Sequence, residues 1–226
     1  MQARTRVALL LVGMLVAASC SSGAAAVEKN IHNADKRISV VSVNTLPTSI
    51  GPVVVGEVRN ASNSPIEGVQ VDVSLTDKAG HAIGDQFGFA LLKILPAGAK
   101  APFSIPYTGG THDVAKVSAT VKADPSVQMQ YTTVQVASKA GQPLGSDYEV
   151  TGTVSNSSST PVTFANVVAT FYDKGGNVVG AAHDVSDGST IPPGGSTSFT
   201  ILLQEQGAKV AKYSLVAEAQ VVNQGH

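Results

Sequence analysis

The sequence predicts an all-β chain built as two antiparallel β-sandwiches in tandem, and three observations carry that expectation. The first is a repeat: Val54 to Gly84 recurs without a gap at Val150 to Gly180, an offset of 96 residues. In register stand Gly56 with Gly152, Asn60 with Asn156, Ser62 with Ser158, Pro65 with Pro161, Asp77 with Asp173 and Gly80 with Gly176. The same offset pairs Pro96, Gly98, Phe103 and Ile105 with Pro192, Gly194, Phe199 and Ile201, so one spacing holds over about seventy residues and implies duplication. The second is composition: 22 Gly and 11 Pro in 226 residues, with many Val, Ser and Thr, suit short strands joined by turns. The third is a period of two. Val69, Val71, Val73 and Leu75 fall on one face while Gln70, Asp72, Ser74 and Thr76 fall on the other, the pattern of a strand with one face on a core and one in water.

Taken from the start, residues 1–19 have the three parts of an export signal: Arg4 and Arg6, an apolar run from Val7 to Ala18, and small residues before a cut. The run is too short for a permanent bilayer span. It ends in Val16-Ala17-Ala18-Ser19-Cys20, which resembles the lipobox of bacterial lipoproteins, with Ala17 where leucine is commoner. That resemblance implies cleavage before Cys20, acylation of its sulfur (palmitate or a similar chain) and anchoring to a membrane. Two or three acyl chains are needed for a stable anchor, since one binds only reversibly. Cys20 is the single cysteine, so no internal disulfide is available. Residues 20–36 read as a polar tether of at most about 55 to 60 Å when extended, whose composition allows a short helix from Ala24 to Ala34.

The first copy is expected over 37–124. Ile38 to Val43 opens it, Val53 to Val58 is a buried strand, and Asn60 to Pro65 carries turn chemistry. After the alternating strand, Asp77-Lys78-Ala79-Gly80 suits a type I turn with a glycine bulge leading into a hairpin. A calcium loop is the other reading, but the spaced oxygen ligands and closing glutamate are missing. Gln86 to Leu95 is apolar, Pro96 to Gly98 is a turn, and Pro102 to Tyr107 and Ala115 to Val121 complete the sandwich. Asp124-Pro125 reads as the hinge, short enough to make the halves constrained neighbours.

The second copy is expected over 125–226, with strands at Val127 to Val136 and Tyr148 to Val154. In its long strand Ala165, Val167, Ala169 and Phe171 point inward. The other face carries Phe164, Val168 and Tyr172 where the first copy has Gly68, Asp72 and Thr76, a face less suited to water. Conversely, the apolar segment after Phe87 becomes the polar stretch His183 to Ile191, read as a loop or weak strand. Phe164, Val168 and Tyr172, with Phe87 and Phe89, are therefore the candidate partner-contact residues. The other reading is that their own sandwich or the neighbouring one covers them.

Both copies resemble the FxLYD domain of prokaryotic envelope proteins. Its five defining places read Val73-Ser74-Leu75-Thr76-Asp77 in the first copy and Ala169-Thr170-Phe171-Tyr172-Asp173 in the second. The supporting pattern includes the glycine before a valine strand, the Asn-x-Ser turn, and Leu95-Pro96-Ala97-Gly98 and Ile191-Pro192-Pro193-Gly194 before Phe103 and Phe199. The resemblance implies an immunoglobulin-like sandwich of about seven strands for each copy. It transfers no catalytic residue.

No catalytic site, metal or cofactor is expected. The five histidines are scattered and none has zinc-ligand spacing. His183-Asp184 lacks an accompanying nucleophile motif, and no phosphate loop is present. A formal charge of −1 without a basic patch excludes a nucleic-acid partner. The sequence thus points to a non-enzymatic, exported, outward-facing envelope lipoprotein, a structural or protein-interaction module held to the membrane through Cys20. The alternative is a carrier or sensor for a small molecule or envelope polysaccharide, which would need a pocket lined by tyrosines such as Tyr107, Tyr131, Tyr148 or Tyr172.

Overall fold

The computed structural model describes residues 26–33, 35–110, 113–123 and 130–222. The export signal, Cys20, and the Asp124-Pro125 hinge lie outside the described residues. Those that are described form an all-β protein. The first half contains β1 (Glu28–His32), β2 (Ile38–Thr48), β3 (Gly51–Asn60), β4 (Ile66–Glu67), β5 (Val69–Asp77), β6 (Ala82–Phe89), β7 (Ile94–Leu95), β8 (Lys100–Pro106) and β9 (Val114–Ala123). The second contains β10 (Tyr131–Thr133), β11 (Gln135–Leu144), β12 (Asp147–Ser155), β13 (Val162–Tyr172), β14 (Val178–Val185), β15 (Ser196–Leu203) and β16 (Lys212–Val221).

Each half pairs a four-stranded sheet with a three-stranded one. The orders are β1-β9-β5-β6 with β2-β3-β8, and β10-β16-β13-β14 with β11-β12-β15. The equivalence extends to fine detail: the β4–β7 pair Ile66 with Leu95 recurs as a bridge between Val162 and Ile191 at the same offset. Alternation places Val69, Val71, Val73 and Leu75 in one core and Ala165, Val167, Ala169 and Phe171 in the other, all buried. Proline at position 47 sits inside β2 without breaking it, because β2 is an edge strand and the sheet demands fewer of its donors.

Four repeated positions explain the repeated fold. Asn60 is buried and donates to Ser64 O (2.7 Å) and Leu95 O (3.0 Å) while Ser62 N donates to its Oδ1 (2.9 Å). Asn156 does the same with Thr160 O, Ile191 O and Ser158 N. These asparagines are internal clamps for a polar turn, which accounts for the recurrence of Asn-x-Ser. A Cβ on Gly56 or Gly152 would collide with the carbonyl of Ser42 or Ala137 and with the ring of Phe103 or Phe199, so each glycine lets a core phenylalanine lie on the backbone. Asp77 accepts from Ala79 N and His81 N, Asp173 from Asn177 N, and Gly80 (φ +86°) and Gly176 (φ +81°) close both bulged turns.

One expectation needs correcting. Glu28–His32 is not tether or helix: it is a strand, parallel to β9 from Glu28 opposite Lys116 to His32 opposite Thr120. Of the strand expected over Val127 to Val136, the described residues show β10 and β11, which join different sheets. The stretch from His183 to Ile191, expected as a loop or weak strand, supplies the last three residues of β14 and then the loop that follows it.

Candidate functional site

The two halves meet along a seam where β2, β3 and β8 of the first face β14 and β13 of the second. The unbroken valine run of β3 follows from this: Val54 and Val58 face their own core, while Val55 is covered by Val178 of the second half. On β13, Val168 is 1% exposed because it enters the first half's core, with Val216 beside it. Val168 is thus unavailable to an outside partner, and the unusual apolarity of that face reflects the neighbouring half.

Polar contacts fasten the seam. Tyr172 donates to Glu57 Oε1 (2.9 Å), whose other oxygen lies 3.4 Å from Lys100 Nζ. Burial, with Glu57 nearby, raises the Tyr172 pKa, so the phenol stays a donor. Tyr172 is therefore also a seam residue. Glu218 accepts from Lys93 N (2.6 Å), Ile94 N (3.1 Å) and Asn166 Nδ2 (3.1 Å). Burial pushes its carboxyl above the ordinary range, and these three donors counter that shift. Asn166 also donates to Leu91 O (2.8 Å), and its Oδ1 accepts from His183 Nδ1 (3.0 Å). At the far end Glu205 accepts from both Ser49 N (2.9 Å) and Ser49 Oγ (2.6 Å).

Concavities open along the seam, two of them at the end where Tyr131 lies. One, of about 510 Å³, is lined by Leu92, Ile94, Pro96, Tyr131, Val216 and Glu218. The other, of about 280 Å³, lies between Phe89 and Phe164 with Tyr131, His183 and Val185. Its exposed lining residues Phe89 (51% exposed), Phe164 (46%) and Val185 (44%), with Phe87 (61%) edge-on to Phe89, form an apolar surface spanning both halves. Phe164 holds φ +47°, a conformation that disfavours an L side chain and that its counterpart Gly68 adopts at +60°.

Asp184 is turned to Thr200 N (2.8 Å), so it forms no dyad with His183. Among the described residues no group of three or more His, Cys, Asp or Glu is placed to hold a metal ion, and no helix is long and apolar enough to cross a membrane. Sequence reasoning reached Phe87, Phe89 and Phe164 but missed Glu57, Asn166, Val185 and Glu218. A signal existed: Glu218 stands where the first copy has Lys122, and Glu57 where the second has Thr153.

Residues 126–217 match the model of a protein family of unknown function, DUF3426. The DUF3426 match takes in β10 to β15 and most of β16, and carries no activity with it. No curated protein matches the chain. A crystal structure of red sea bream transglutaminase is similar over 83% of this chain and 29% of that one, at 12% identity and a TM-score of 0.26, so the chain spans under a third of that protein's length.

Proposed function

We propose that this chain is a non-enzymatic, lipid-anchored module of a cell envelope, two FxLYD-like sandwiches locked side by side to present one protein-contact surface. The observation that carries the reading is the apolar surface of Phe87, Phe89, Phe164 and Val185 across the seam. Large exposed side chains gathered on a rigid support favour recognition, and a phenylalanine kept at positive φ is retained for its ring despite the backbone cost. Cys20 supplies the anchor, through acyl chains added after export, which places the folded body on the outer side of a membrane.

Cross-linking in living cells tests the surface. A photo-reactive residue at position 89 is expected to give a discrete adduct that Phe164→Ser abolishes, with none from position 78 on the distant turn. No adduct at 89, or the same adducts at both positions, overturns the reading. Cys20→Ala is expected to move the protein from membrane to soluble fractions, and retention on membranes would sink the anchor.

A second reading, a carrier for an apolar small molecule, is favoured by the cleft beside Tyr131. Filling it with Leu92→Trp would then abolish the rise in melting temperature that a bound ligand produces by mass action.

A further inference from the structure

Each half serves as a control for the other, and at one sheet edge they differ. In the first half β1 covers the outer edge of β9, with Glu28 Oε1 3.0 Å from Lys116 Nζ. The duplication puts Lys212 to Val216 of β16 at the equivalent edge, lysine matching lysine. There β10 pairs only with Glu218 to Gln220, and among the described residues no strand lies along the outer side of Lys212 to Val216. Ala217 O accepts from Val134 N and Val221 N donates to Gln130 O on that side. Residues of the same parity, Tyr213 and Leu215, therefore direct their N–H and C=O groups to the open edge.

Burial follows the missing strand. Val117 and Ala119 are buried behind β1, whereas their counterparts Tyr213 and Leu215 are only half-buried. The facing strand shows the same contrast: β2 buries Val40 and Val43 in the first core, while β11 is exposed from Ala137 to Leu144. Lys212 has its ammonium over the Tyr172 ring, 5.4 Å from the centroid.

We propose that the Lys212–Val216 edge accepts an extended segment of a partner protein as an added parallel strand, its leading carboxylate meeting Lys212 as Glu28 meets Lys116. The occupied slot in the first half defines the occupant: five extended residues, acidic at the first place and aliphatic at the fourth, where Ile31 stands opposite Ala119. Main-chain pairing supplies the attraction and the lysine sets direction and register. The inference rests on reading the chain as an interaction module and names a second surface of that module.

The probe is the chain's own segment from Ala26 to Asn33 as a synthetic peptide, titrated into the isotope-labelled full chain and followed by NMR. Amide shifts at Tyr213 and Leu215 are expected. Lys212→Glu should weaken binding about fivefold, as for loss and reversal of an exposed charge pair, and a peptide with lysine in place of its glutamate should restore it. Leu215→Pro, which removes an outward N–H, should abolish the shifts. Shifts confined to β9, no shift at Tyr213 and Leu215, or equal affinity for Lys212→Glu would overturn the proposal. Concentration-dependent dimers that the peptide dissolves would assign the edge to a second copy and overturn the partner. Peptide failure with the position-89 cross-link intact removes this edge alone; loss of that cross-link with peptide binding intact removes the phenylalanine surface.

Discussion

Phe164 and the two clamp asparagines show how much single positions carry. At φ +47° a Cβ is unfavourable, so the usual preference for alanine over glycine inside a strand should invert. Phe164→Gly is expected to be more stable than Phe164→Ala by about 1 kcal/mol in urea denaturation. Equal stabilities would show that the backbone there carries no strain. Asn156 is buried and satisfies two carbonyls and an amide. Asn156→Ala strands these groups, and a loss of about 2 to 3 kcal/mol is expected. Asn60→Ala should cost a similar amount in the other half, since the bonds are the same.

At the scale of elements, the paired turns make a pH prediction. Hydrogen bonds from His81 N and Ala79 N hold the Asp77 carboxyl below the ordinary range, and those from Asn177 and nearby backbone do so for Asp173. A carboxylate whose pKa is lower folded than unfolded adds stability above the unfolded value, near 3.8, and that stability is lost as pH falls through the folded value. The stability of the native chain should therefore decline below about pH 4, and Asp77→Asn with Asp173→Asn should flatten that decline. Denaturation midpoints measured from pH 6 down to about 2 check this. These elements were legible in the sequence because their causes are local: alternation on β5, Asp and Gly framing a turn, and a glycine under a phenylalanine. β1 was not legible, since Glu-Lys-Asn-Ile-His has no apolar alternation and is extended only through its pairing with β9.

Across the whole molecule the seam is decisive. The outer face of β13 read correctly as unsuited to water, but a valine contacting a foreign protein and one contacting the adjoining half look alike in a sequence. Only the fold distinguishes Val168, inside the first core, from Phe164, at the surface. Glu218 was concealed for a related reason, because a buried carboxylate is tolerated only where donors from a distant loop meet it. With two cores coupled by Val168, Glu218 and Tyr172, the native chain should unfold in a single transition. Val168→Asp, which drives a charge into the first core, should lower its midpoint and split it in two. A native chain that unfolds in two steps would mean the halves are energetically independent, and a mutant that still unfolds in one would mean that Val168 does not couple them.

The early onset of pairing at Glu28 also sets a leash. From Cys20 to Glu28 the backbone can stretch no further than about 28 Å, roughly half the reach that residues 20–36 would have as a free tether. With acyl chains on Cys20, the body would hover within one protein diameter of the headgroups. Anything it grips would be drawn to the bilayer surface rather than met far out in the envelope.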